Sequence, residues 1–77
     1  MNQIKIDTVN VITYCNDSVQ GITSFRENTN GNKKAEKLFT ALINENYPEI
    51  SKEDIKKGLD NGYFEEDNWQ VFIVHSS

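Results

Sequence analysis

Trp69-Gln70-Val71-Phe72-Ile73-Val74-His75 is the most apolar run in the chain, and the fold turns on how it is paired. Seven residues rich in β-branched and aromatic side chains, placed after a helical stretch, read as a buried strand. Trp69, Val71 and Ile73 fall on one parity, Phe72 and Val74 on the other. A strand apolar at both parities belongs inside a sheet, so it is placed beside the first strand and not at an edge.

Upstream, Val9 to Cys15 has the same character, and Val19 to Arg26 resumes it after Asn16-Asp17-Ser18. Those three residues bond their own backbone and tolerate turn conformations, so the two segments predict an antiparallel hairpin whose second strand is an edge. Gly21 weakens that strand unless it sits at a bulge or under a bulky neighbour. Ile4 and Ile6 alternate with Lys5 and Asp7, after which the apolar phase changes near Asp7-Thr8, predicting a bulge or a strand that gains cover on both faces.

The middle of the chain has a helical period. Glu27 to Asn32 is polar, with Asn30-Gly31 as a turn signal. From Lys33 on, Ala35, Leu38, Phe39, Leu42, Ile43 and Asn46 stand three or four apart, one stripe of a helix that Tyr47-Pro48 ends. A second helix opens at Ser51 as N-cap, with Asp54 three residues on and Ile50 and Ile55 in the staple positions. Its apolar face is Ile55 and Leu59, Asn61-Gly62 is a left-handed stop, and Glu65-Glu66-Asp67-Asn68 reads as an acidic turn into the last strand. The order β-β-α-α-β predicts a small two-layer α+β sandwich: an N-terminal antiparallel hairpin plus the C-terminal strand in one sheet, with two helices on one face. One helical layer leaves half of the last strand facing outward, and an uncovered apolar face on so small a domain is commonly a dimer or partner surface.

The 77 residues give one domain, residues 1–77, with little surplus for a deep pocket. Eight basic against twelve acidic residues give a net charge of −4, which opposes phosphate backbones and anionic membranes. Neither direct nucleic-acid binding nor membrane binding is expected. Cys15 is the only cysteine, so no intrachain disulfide forms, which fits a reducing compartment. No apolar stretch approaches the ~20 residues of a membrane span, and Met1-Asn2-Gln3 does not open a signal peptide. A cytoplasmic location is the expectation.

Little in the chain points to chemistry. Cys15 and His75 could form a nucleophile-base pair on neighbouring strands, but no glycine-tight elbow or oxyanion loop accompanies them, and a strand cysteine reads as a small core hydrophobe. One histidine and one cysteine cannot make a tetrahedral zinc set, and the 65–68 acids lack calcium-loop spacing. Gly31-Asn32-Lys33-Lys34 has too few glycines for a phosphate loop, while Lys52, Lys56 and Lys57 are offset by Glu53, Asp54 and Asp60. No catalytic, cofactor or metal residue is therefore expected. Tyr47, Tyr63, Phe64 and Trp69 could anchor a partner beside Glu65, Glu66 and Asp67, with Glu45, Glu49 and Asp60 adding charge at the same end. The expectation is a non-catalytic domain that binds another protein or itself, through these residues or through the outward face of the last strand. Its rivals are an acidic inhibitor of phage or mobile-element type that imitates nucleic-acid charge, and an enzyme using Cys15 and His75.

Overall fold

Alternation at Val9, Val11 and Thr13 sets the first strand in the computed structural model of the protein, which describes residues 7–76. Strand β1 is Thr8–Cys15 and β2 is Ser18–Arg26; helix α1 is Thr29–Asn46 and α2 is Lys52–Asn61; strand β3 is Tyr63–Glu66 and β4 is Trp69–Ser76. The four strands form one antiparallel sheet in the order β2-β1-β4-β3, with the helices on one side. This is the expected α+β sandwich, with the C-terminal strand beside the first and β2 at an edge. The alternation of Ile4 and Ile6, and the phase change they imply, lie outside the described residues.

One element was not anticipated. Tyr63–Glu66, whose second half the sequence predicts as turn, is a fourth strand, and the acidic turn shrinks to Asp67-Asn68. Asp67 adopts φ +54°, a left-handed conformation in which a short polar side chain is favoured over a branched one. Asn16 and Asp17, both left-handed, make the two-residue turn between β1 and β2. The two hairpins are tied together where the Asn16 N–H donates to the Asn68 carbonyl at 2.9 Å. Pairing slips between Thr13 and Tyr14, leaving Gln20 as the extra residue of a bulge next to Gly21.

Helix α1 begins four residues before the predicted Lys33. Asn28 is its N-cap, the side-chain oxygen accepting from the Gly31 N–H at 2.7 Å, so Asn30-Gly31 is a first helical turn and not a loop. A Cβ at position 31 would lie 1.7 Å from the Arg26 carbonyl oxygen; only glycine lets the helix start this close to the end of β2. The second helix follows its predicted boundaries: Ser51 Oγ accepts from the Asp54 N–H at 3.2 Å, and Gly62 closes it at φ +86°. Gly58 is buried where α2 crosses Phe39 and Phe64, leaving no room for a longer side chain without displacing them.

The core lies between the helices and the odd-numbered residues of β1 and β4. Val9, Val11, Trp69 and Val71 pack against Ala35, Phe39 and Ile43 of α1 and Ile55 of α2, with Ile50, Leu59 and Phe64 at its margin. No described helix is long and apolar enough to cross a membrane.

Candidate interaction surface

Side chains alternate along a strand, so the residues between those core positions point away from the helices. On β1 these are Thr8, Asn10, Ile12 and Tyr14; the register sets Arg26, Ser24 and Ile22 of β2 and Ser76, Val74, Phe72 and Gln70 of β4 beside them. Tyr63 and Glu65 of β3 complete the face. No helix covers it.

The face has two halves of different chemistry. At the Thr8 end a polar network closes on itself: Asn10 Nδ2 donates to Ser76 Oγ at 2.9 Å and to the Val74 carbonyl at 3.2 Å, while Ser24 Oγ donates to Asn10 Oδ1 at 2.6 Å. Beyond it lies an aromatic row across three strands. The Phe72 ring stacks on Tyr63 at 5.8 Å and meets Tyr14 edge-on at 5.5 Å. Such pairs are worth about 0.5–1.5 kcal/mol beyond the area they bury, so they hold the row in place without hiding it. Ile22 is 61% exposed beside it, and Val19, Tyr63 and Val74 are exposed as well. The charged residues that the strands put on this face are Arg26 and Glu65 alone.

The partner surface expected from sequence is divided between the two sides of the sheet. Trp69 is 6% exposed and belongs to the core. Phe64 lies under the helices, and Tyr47 packs on both rings at centroid distances of 6.4 and 5.8 Å, its hydroxyl donating to the Glu66 carbonyl at 3.2 Å. Glu66 follows the parity of Phe64, whereas Tyr63 and Glu65 face the open side. The division follows from β3 being a strand: a turn could have gathered all of these residues, and alternation separates them.

Part of the acidic end does converge. Partial burial, then the charges of Asp67, Glu66, Cys15 and Glu49, push the Tyr47 phenol above its ordinary value. Beside these acids a shallow groove of about 590 Å³ runs between α2 and β3, lined by Asp54, Glu65, Glu66 and Asp67 with Lys57 as its one basic residue. The groove is therefore mainly acidic.

Cys15 and His75 do not meet. Cys15 pairs with Trp69 and Val9 with His75, so the two residues sit at opposite ends of the sheet, about 20 Å apart at the usual strand rise. His75 Nδ1 instead pairs with the Glu27 carboxylate on the surface. The nucleophile-base reading required neighbouring strands and had them; antiparallel register is what parts the pair.

Ile12, Tyr14 and Ile22 are apolar members of the open face that the sequence does not assign to a site. Their signal was parity: Ile12 and Tyr14 are the apolar residues of β1 out of phase with Val9, Val11 and Thr13. Comparisons of this chain with protein-family models, with curated proteins and with solved structures give no match.

Proposed function

We propose that the chain is a protein-binding module that works through the open face of its sheet and carries out no chemistry of its own. The observation that carries this reading is the aromatic row Tyr14, Phe72 and Tyr63, of which Tyr63 is exposed and the other two are half-buried, flanked by half-buried Ile12 and exposed Ile22 and Val74 and bordered by a self-satisfied polar network. An aromatic patch that can be desolvated, beside polar groups already bonded to one another, suits a protein interface. Aromatic rows on open sheets also stack nucleic-acid bases, but that mode needs a cationic groove. Here the face holds one arginine in a chain of net charge −4, so a polypeptide is the better fit. A cytoplasmic setting accompanies this reading, because Cys15 is the lone thiol and is free.

A photoreactive benzoylphenylalanine at position 72, with the same probe at Lys37 on the exposed side of α1, tests the proposal in extracts of cells that make the protein. The adduct expected from position 72 is a polypeptide, absent from position 37. Equal labelling from the two positions, or none from position 72, overturns it.

A further inference from the structure

We infer that the polypeptide seated on the open face is a second copy of this chain, stacked face to face with its strands crossing the first steeply. This rests on the open face being the binding surface, and it specifies what binds there. It is carried by the placement of the only two charges that the described strands put on that face. Arg26 is on the outer strand β2, level with Thr8; Glu65 is on the outer strand β3, level through Gln70 with Tyr14, six residues further along. They occupy diagonally opposite corners, about 14 Å apart across the strands and about 20 Å along them at ordinary sheet spacings.

A two-fold axis lying in the plane of the face, through the midpoint of that diagonal and perpendicular to it, exchanges the two corners. Arg26 of each copy then stands over Glu65 of the other, and both pairs form at once, as an isologous contact requires. Axes along or across the strands would set each charge over an uncharged corner. The chosen axis passes among Asn10, Ile12, Phe72 and Val74, so the centre of the contact is mostly apolar. Asn10 can be buried there because its side chain already bonds Ser24, Ser76 and the Val74 carbonyl. The strands of the two sheets cross at about 70°, within the orthogonal class of sheet packing.

The area sets the strength. Four strands of seven residues make a face of about 19 by 23 Å, or about 440 Å² from each copy. That total is below the ~1,200 Å² of standard interfaces, so the pair is a weak and reversible dimer and not an obligate one.

Sedimentation equilibrium of the full chain from about 10 μM to about 1 mM reads the association directly, across the range expected of so small an interface. The expected result is a mass rising from monomer to dimer, with Arg26→Glu and Glu65→Arg each weakening it about tenfold, as reversal of two partly exposed ion pairs implies. Mixing the two variants in equal amounts should restore the wild-type strength, since in the mixed dimer each charge again faces its opposite. Both residues are exposed, so unchanged unfolding curves will show that the variants are folded. A wild-type chain that stays monomeric at the highest concentration overturns the dimer; a photo-adduct to a different protein or to residues 1–6 of the same chain would then leave the binding face standing. A mixture no stronger than either variant overturns the crossed geometry, and sensitivity to Arg26→Glu but not to Glu65→Arg replaces it with edge pairing along β2.

Discussion

The two faces of one sheet are made by the same two central strands, and they do different work. On the helix side Val9, Val11, Trp69 and Val71 are sealed by α1 and α2; one residue away in each strand, Ile12, Tyr14, Phe72 and Val74 meet no second layer. Both sets are apolar, so composition does not distinguish them. What does is that both described helices pack against one side of the sheet. Stability is therefore concentrated on one parity, and the other parity is the one to which we assign the proposed partner.

The largest expected effect separates the faces by stability. Phe39→Ala, which empties a fully buried site, should cost about 3–5 kcal/mol, and Val71→Ala somewhat less. Phe72→Ala removes a half-buried ring that pairs with Tyr14 and Tyr63 but seals no cavity, so its cost should be about 1–3 kcal/mol, below that of Phe39→Ala. Urea unfolding measures all three. Similar losses for Phe39 and Phe72 would mean that the open face is structural after all. Because a domain of this size has little stability to spare, Val11→Ala gives a milder covered-face comparison if Phe39→Ala does not fold.

The same contrast applies to glycines at the two margins. Gly31→Ala drives a Cβ into the Arg26 carbonyl, so α1 must withdraw from the end of β2, at an expected cost of more than about 2 kcal/mol. Gly21, on the exposed edge strand, has only Thr13 Oγ1 at 3.5 Å from such a Cβ. Gly21→Ala should then be neutral or stabilise by up to about 1 kcal/mol, through the unfolded chain's lost freedom. Thermal unfolding of both variants checks this, and a neutral Gly31→Ala would show that the helix start is looser than its contact with β2 implies.

These contrasts also mark what the sequence could disclose. The hairpin, the central position of β4 and both ends of α2 follow from parity, turn residues and caps, all of which are local. The start of α1 does not, because Gly31 is explained by the carbonyl of Arg26, a contact that exists only once sheet and helix have met. Strand β3 was hidden for a related reason. Tyr63-Phe64-Glu65-Glu66 is four residues with two acids, and its extended form is supported by pairing with β4 and not by propensity. With β3 unrecognised, Phe64 and Trp69 were grouped with Tyr63 and Glu65, residues that lie across the sheet from them. The outward face of β4 was legible, whereas its extension over Ile12, Tyr14 and Ile22 needed the register, including the slip at Gln20.

The smallest predicted effect lies at the boundary between the two regions. Tyr47 rests its ring against Phe64 and Trp69 on the covered side, while its hydroxyl sits among Glu66, Asp67 and Glu49 at the sheet's end. Partial burial first, then those carboxylates with Cys15, oppose the phenolate, so the folded protein holds this proton above the ordinary value of 10.0. The sign for stability follows. Below pH 10 the phenol is neutral in both folded and unfolded chains and the stability is fully present; as the pH rises through the folded-state value that stability is lost, because the unfolded chain releases the proton more readily. Phenolate absorbance should therefore appear later for Tyr47 than for a free tyrosine, with Tyr14→Phe and Tyr63→Phe in the background to isolate it. Asp67→Asn, which removes the largest of the opposing charges, should move that titration back towards 10.0, and Tyr47→Phe should remove its share of the alkaline loss of stability. A titration that does not respond to Asp67→Asn would mean that burial alone holds the proton, and that the acids at this end lie too far from the covered side to act on it.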